Sequence, residues 1–149
     1  MIRIAIVDDI IEICSSLERI LLHYAEKIDE KIEVEPYTSS ETFFSALDNN
    51  ETFDLIYLDI EIDNRTGIDI ANHIRSVMDD ELQQIVYISG KPEYSIKLHE
   101  THPLDFIIKP IKQESVEKIM NRYMKISGRF TDNFTYNIGT DRYLSLIHI

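Results

Sequence analysis

The sequence predicts an α/β fold, a doubly wound five-stranded parallel sheet with helices on both faces. Three observations predict it. Five short β-rich apolar runs alternate strictly with segments of helical period over residues 1–127. The runs are continuous rather than alternating in polarity, as expected of strands buried on both faces. Right-handed crossovers between successive parallel strands then place helices on both sides of the sheet.

The strand runs are Ile2–Val7, Ile32–Tyr37, Asp54–Leu58, Ile85–Ser89 and Leu104–Ile108. Between the first two, Ile10, Ile13, Cys14, Leu17, Ile20, Leu21 and Tyr24 fall near i, i+3, i+4, i+7 and form one helical stripe. Ser39 or Ser40 can cap a second helix that carries Phe43, Phe44 and Leu47. A third helix runs from Gly67 with Ile68, Ala71, Ile74 and Met78 on its apolar side. A weaker fourth covers Glu93–Glu100, and a fifth carries Val116, Ile119, Met120 and Tyr123, with Ser115 in its first turn. Gly128 breaks the alternation, so residues 1–127 form the main domain and residues 128–149 a linker and β-rich tail. In that tail Phe134–Ile138 and Tyr143–Ile149 flank the turn residues Gly139-Thr140-Asp141, which predicts a short C-terminal β hairpin. A lone hairpin is marginal in water. Phe130, Phe134, Tyr136, Tyr143, Leu144 and Ile147 would expose a sizeable apolar patch, so the tail is expected to be covered. It packs on the main domain, pairs with another chain, or opens a second domain.

Composition narrows the function. The chain has 149 residues and 44% apolar side chains, enough for one real core. Asp and Glu number 27 against 15 Lys and Arg, a formal charge of −12. So acidic a chain repels nucleic acid and anionic membrane unless a basic patch is segregated. The single cysteine, Cys14, cannot form an internal disulfide, which fits a reducing, cytoplasmic location. No run is long enough to span a bilayer, and Asp8 and Asp9 follow the first apolar stretch too soon for a signal peptide.

In doubly wound sheets functional residues gather beyond the carboxyl ends of the strands. Asp8 and Asp9 follow the first strand, Asp59 the third, Ser89 ends the fourth, and Lys109, before Pro110, ends the fifth. Three carboxylates, a hydroxyl and an ammonium therefore converge at one sheet edge. Clustered carboxylates repel unless a cation neutralises them. Hard oxygen ligands suit Mg²⁺, which takes few protein carboxylates and keeps several waters. A carboxylate beside Mg²⁺, with Lys and a hydroxyl aimed at the same point, is a site for a transferring phosphoryl group.

The constellation resembles the receiver domain of bacterial two-component response regulators. The resemblance rests on "IAIVDD" at 4–9, "DLIYLDIEIDNRTGIDIANHIR" at 54–75, "IVYISG" at 85–90 and "LDFIIKPI" at 104–111. Fifty residues separate Asp9 from Asp59, thirty Asp59 from Ser89, and twenty Ser89 from Lys109. The resemblance implies the flavodoxin-like, CheY-like sheet order 2-1-3-4-5. It makes Asp59 the phospho-acceptor of a phosphohistidine from a sensor histidine kinase, with Mg²⁺ as cofactor. Asp8 and Asp9 resemble the acidic pair that holds the metal, Asp9 as the preferred direct ligand, and Glu61 supplies a backbone carbonyl. Ser89 and Lys109 resemble the residues that bind the phosphoryl group. Phe106 resembles the aromatic that follows the Ser/Thr in the switch, although a core role fits it equally. The switched surface comprises the 93–100 helix, the Leu104–Ile108 strand and the last helix, and it implies a homodimer on activation. Such a chain is a signalling module that catalyses only its own phosphorylation and dephosphorylation. Two departures stand out. Asp63 replaces a frequent Pro, which predicts a looser, more acidic loop after Asp59, and Phe106 replaces the usual Tyr and has no hydroxyl to donate.

The tail "DNFTYNIGTDRYLSLIHI" resembles the opening strands of a LytTR-type DNA-binding domain. It implies transcription regulation, with DNA bound only through a full-length output domain and the present chain a piece of a longer regulator. The alternative is a dimerisation hairpin.

Blander readings compete. Asp8-Asp9 could cap a helix, Ser89-Gly90 and Lys109-Pro110 are ordinary strand exits, Cys14 fits a buried inert thiol, and His99 and His102 fit a helix surface. Asp79, Asp80 and Glu81 fit a solvated helix end. A receiver-like module that is never phosphorylated is the main rival. A haloacid-dehalogenase-type phosphatase wants Asp two residues after its nucleophile, where Glu61 stands. A flavodoxin-type protein wants a phosphate loop where Asp8-Asp9 would repel phosphate.

Overall fold

A computed structural model describes residues 1–63 and 65–129. The predicted tail hairpin lies outside the described residues, apart from the start of its linker.

The observed order is β1 (Ile2–Val7), α1 (Ile11–Ile28), β2 (Ile32–Tyr37), α2 (Ser40–Asp48), β3 (Leu55–Asp59), β4 (Glu61–Ile62), β5 (Arg65–Thr66), α3 (Gly67–Asn72), β6 (Gln84–Ser89), β7 (Asp105–Ile108) and α4 (Gln113–Ile126). A π-helical turn, His73–Val77, extends α3, and a 3₁₀ segment, Pro92–Thr101, joins β6 to β7. The five-stranded sheet runs β2-β1-β3-β6-β7, parallel throughout. That is the doubly wound order implied by the sequence. β4 and β5 form a separate two-residue antiparallel pair, Glu61 opposite Thr66 and Ile62 opposite Arg65.

Strand alternation divides the core between the faces. Ile2, Ile4, Ile6, Leu55, Tyr57, Val86, Ile88 and Ile107 point to one side and pack under α1 and α4, against Leu17, Leu21, Tyr24, Val116 and Met120. Ala5, Val7, Ile56, Leu58, Ile85 and Tyr87 point to the other, under Phe43 of α2, Ile70, Ala71 and Ile74 of the third helix, and Leu98. The central strands β1, β3 and β6 are buried on both faces as predicted. β2 is not. It is an edge strand on which Glu33 and Glu35 alternate with Ile32 and Val34, and its outer residues reach solvent. β7, the other edge, is likewise half-buried.

Ser39 caps α2, its hydroxyl accepting the Thr42 amide at 3.1 Å. Thr66 and Asp69 form a capping box at α3. α1 starts without a side-chain cap, so Asp8 and Asp9 are not there as helix caps. The weakly patterned 93–100 stretch forms a 3₁₀ segment rather than an α-helix, with its C-terminal end tied down. The buried Arg75 guanidinium donates to the carbonyls of Thr101 (2.9 Å), Asp80 (2.9 Å) and His102 (3.3 Å). The buried Thr101 and Tyr87 hydroxyls lie 2.6 Å apart.

Tyr57, at the centre of β3, is fully buried, and its hydroxyl has no hydrogen-bond partner among the described residues. A polar atom desolvated without compensation destabilises the fold. Tyr57→Phe is therefore expected to leave stability unchanged or raise it by about 1 kcal/mol in urea unfolding. A loss of that size would show that the hydroxyl is bonded.

Candidate functional site

The parallel register brings the carboxyl ends of β1, β3, β6 and β7 to one edge. The amide of Asp8 donates to Tyr37 O at 3.0 Å, Ile60 N to Ile88 O at 3.0 Å, and Lys109 N to Ser89 O at 2.8 Å. Backbone bonds therefore continue the sheet into the residues that follow each strand.

Carboxylate oxygens of Asp8, Asp9 and Asp59 lie within 4.8 Å of one another. Asp8 is fully buried, Asp59 is 3% exposed, and Asp9 faces solvent. Asp8 Oδ1 accepts the Ile10 amide at 2.9 Å. Its Oδ2 makes no hydrogen bond among the described residues, and the Lys109 ammonium lies 3.3 Å away. The same ammonium is 3.7 Å from Asp59 Oδ1, which also accepts the Glu61 amide at 3.3 Å.

When all three acids are ionised, one ammonium leaves two negative charges uncompensated. Burial, helped by the charge of Asp8, pushes the Asp59 carboxyl up to about 7. Burial also raises that of Asp8. A buried carboxylate oxygen with only the Lys109 ammonium beside it, close to two further acids, fits a divalent cation such as Mg²⁺. These acids could hold one, and the ion would relieve the repulsion.

Ser89 is buried at the end of β6, and its Oγ accepts the Lys91 amide at 3.0 Å. An acceptor in that bond, the hydroxyl keeps its own proton for donation. Phe106 on β7 is half-buried, stands opposite Tyr87, and packs against the cluster under α2 and α3. Glu61 begins β4, and its carboxylate pairs with Lys91 Nζ at 2.9 Å. The cluster thus unites Asp8, Asp9, Asp59 and Lys109, while Ser89 and Phe106 stand on the two strands beyond β3. His99 and His102 are exposed and belong to no cluster of metal-ligating groups among the described residues. Cys14 is buried, and burial pushes its thiol up to about 11, which disfavours the reactive thiolate.

In the loop after Asp59, β4 and β5 pair antiparallel, and both carboxylate oxygens of Asp63 bind Ser40 at the start of α2, a contact the sequence does not reveal. Sequence reasoning also missed Lys91 and the role of Gly67. A Cβ on Gly67 would stand 2.3 Å from the carbonyl oxygen of Asp59. A glycine opening a helix eight residues after the acid was the available signal.

The sequence pattern of the response regulator receiver domain matches residues 4–121. The sensory transduction protein LytT of Bacillus subtilis (strain 168) is 25% identical over 127 residues, covering 85% of this chain and 50% of the relative. LytR of Staphylococcus epidermidis is 32% identical over 102 residues, covering 68% and 38%. The chain thus spans half or less of the length of these curated relatives. Among solved structures, a CheY-like receiver domain protein from Methanospirillum hungatei JF-1 superposes with a TM-score of 0.70 at 22% identity, covering 87% of this chain and 99% of that one. TrrA of Thermotoga maritima, solved in complex with Mg²⁺ and BeF, gives a TM-score of 0.69 at 21% identity, covering 83% and 99%. At these identities the superpositions establish the shared fold.

Proposed function

The chain belongs to the response regulator receiver family, and from that premise we propose that it is a phosphoryl-accepting signalling module whose acceptor is Asp59. One observation carries the reading. Two buried acids and one exposed acid, from the ends of two strands, meet a lysine from a third.

Asp8, Asp9, the Asp59 carboxylate and the Glu61 carbonyl would hold Mg²⁺. When bound, the ion holds Asp59 ionised and balances charge on the phosphoryl oxygens. A sensor histidine kinase presents the phosphohistidine, and an Asp59 oxygen attacks phosphorus in line. The new P–O bond forms as the P–N bond breaks, and the imidazole leaves with the electron pair. Lys109 pairs with an equatorial oxygen of the transferring group. Ser89, whose hydroxyl proton is available, donates to another.

Once Asp59 carries the phosphoryl group, Ser89 moves toward it and Phe106 follows by packing alone. The two states then shift in population. The surface of the 92–101 segment, β7 and α4 pairs with a second copy of the chain. Residues 1–127 are the receiver, and residues 128–149 lead to the output. The likeness to LytT and LytR, with the resemblance of the tail, favours transcription control through a LytTR-type domain. DNA is reached only through that domain, since this chain is strongly acidic.

Acetyl phosphate tests the chemistry, with acetate as leaving group. Uptake of one phosphoryl group is expected with Mg²⁺ and not with a chelator. Lys109→Met should slow it by about a hundredfold, as when one charge-stabilising donor is lost. Uptake indifferent to both changes would contradict the reading.

A further inference from the structure

Asp63 is exposed, yet it is held on both carboxylate oxygens. Oδ2 accepts the Ser40 amide at 2.7 Å and Oδ1 the Ser40 hydroxyl at 2.9 Å. Ser40 is buried in the first turn of α2, 23 residues upstream and on a different crossover. Asp63 has φ of 39°, in the left-handed region. Proline, fixed near −65°, cannot adopt it, and Asp can. The turn between Asp59 and α3 is thus fixed at two points. At its base Gly67 N–H donates to Ile60 O at 2.6 Å, and at its tip Asp63 grips α2. These contacts flank Glu61, whose amide holds Asp59 Oδ1, an oxygen of one of the three acids that could bind a metal.

We propose that Asp63 is a positioning residue for the metal site, a latch onto Ser40 that sets the Glu61 peptide and through it the affinity for Mg²⁺. The proposal rests on the metal-dependent phosphoryl-transfer reading above. Asp63 touches neither metal nor phosphoryl group. It acts through the backbone, as outer-shell partners act on ligands elsewhere.

Four versions of the whole chain test it by calorimetric titration with Mg²⁺ and by phosphoryl uptake from acetyl phosphate across a Mg²⁺ series. Asp63→Gly tolerates the left-handed backbone and removes both bonds. It should raise the Mg²⁺ dissociation constant about tenfold, the lower end of the usual effect of losing an outer-shell partner. Ser40→Ala keeps the charge of Asp63 and loses one bond, so about a threefold increase is expected. Asp63→Asn loses the charge but keeps an acceptor for the amide and a donor for the hydroxyl. It should bind Mg²⁺ like the wild type. In every variant the uptake rate should return toward the wild-type value at saturating Mg²⁺, because Asp59, Ser89 and Lys109 all remain in place.

Three results would overturn the latch. Affinities could be unchanged throughout. Asp63→Asn could fall as far as Asp63→Gly while Ser40→Ala stays at wild type, which is a simple charge effect. The saturated rate could fall in step with affinity, which is general damage to the fold. A wild type that takes up no phosphoryl group at all would instead sink the receiver reading and the latch with it. The two failures are therefore distinct.

Discussion

Gly67→Ala is expected to destabilise the protein by about 1–3 kcal/mol, the usual range for forced overpacking. The opposing effect is known and smaller. Alanine in a helix is favoured over glycine by about 1 kcal/mol, and Gly67 is the first residue of α3. The new methyl, however, would stand 2.3 Å from Asp59 O and 3.0 Å from both Asp59 C and Ile60 Cα. Those atoms are backbone at the end of a strand with no exposed residue, and they have no flexible end to swing aside. The clash therefore wins. Relief requires α3 to move away or the end of β3 to bend, and the second displaces Asp59, the proposed acceptor. Urea unfolding should show the loss, and phosphoryl uptake should slow in the same variant. A Gly67→Ala protein at least as stable as the wild type would mean that helix and strand do not approach so closely.

Asp59→Asn is expected to do the opposite. In metal-free buffer at pH 8 it should be more stable than the wild type by about 1–3 kcal/mol, the scale on which uncompensated buried charge destabilises. The amide oxygen still accepts the Glu61 N–H, while the repulsion from Asp8 disappears and Lys109 is left to Asp8 alone. The pH dependence has a definite sign. Asp59 titrates at about 7 in the folded chain and near 4 when unfolded. Between those values the folded state holds a proton that the unfolded state has released. Wild-type stability therefore falls as pH rises from about 4 to 7 and levels off above. The variant lacks this slope, so the difference between them opens over that window. Saturating Mg²⁺ should narrow it again, because ligand bound to the folded state alone adds about 2.7 kcal/mol at a hundred times its dissociation constant. Thermal unfolding across pH checks this. A gap that is absent, or constant from pH 4 to 8, would show that Asp59 is not under electrostatic strain.

Much of this was legible in the sequence because the signals were local. Ile2–Val7, Leu55–Asp59 and Gln84–Ser89 are unbroken apolar runs, and only a strand covered on both faces needs one. Once their parallel order is set, geometry puts Asp8, Asp59, Ser89 and Lys109 at one edge. β2 was legible as a strand, and the order 2-1-3-4-5 already put it at an edge, but it does not share the two-sided burial expected of the five runs. Its Glu33 and Glu35 alternate with apolar residues, and that alternation belongs to an edge. The 92–101 segment carries few periodic apolar positions, so its 3₁₀ form and its anchorage by Arg75 were not visible. Arg75 itself reads as an ordinary surface residue of a helix. Its partners are backbone carbonyls, which leave no trace in residue type. That Asp63 stands in place of a frequent proline is visible in the sequence, but its hydrogen bonds to Ser40, 23 residues away, are not. Gly67 is similar, because its meaning lies in a distance to backbone that only the folded chain reveals.

The central claim is that Asp59 accepts a phosphoryl group, and intact-protein mass tests it most directly. Wild type and Asp59→Asn are incubated side by side with acetyl phosphate and Mg²⁺, then again with excess chelator. One added phosphoryl group in the wild type with Mg²⁺, and none in the other three samples, is the predicted result. An equal gain in Asp59→Asn, or no gain in a folded wild type that binds Mg²⁺, would contradict it.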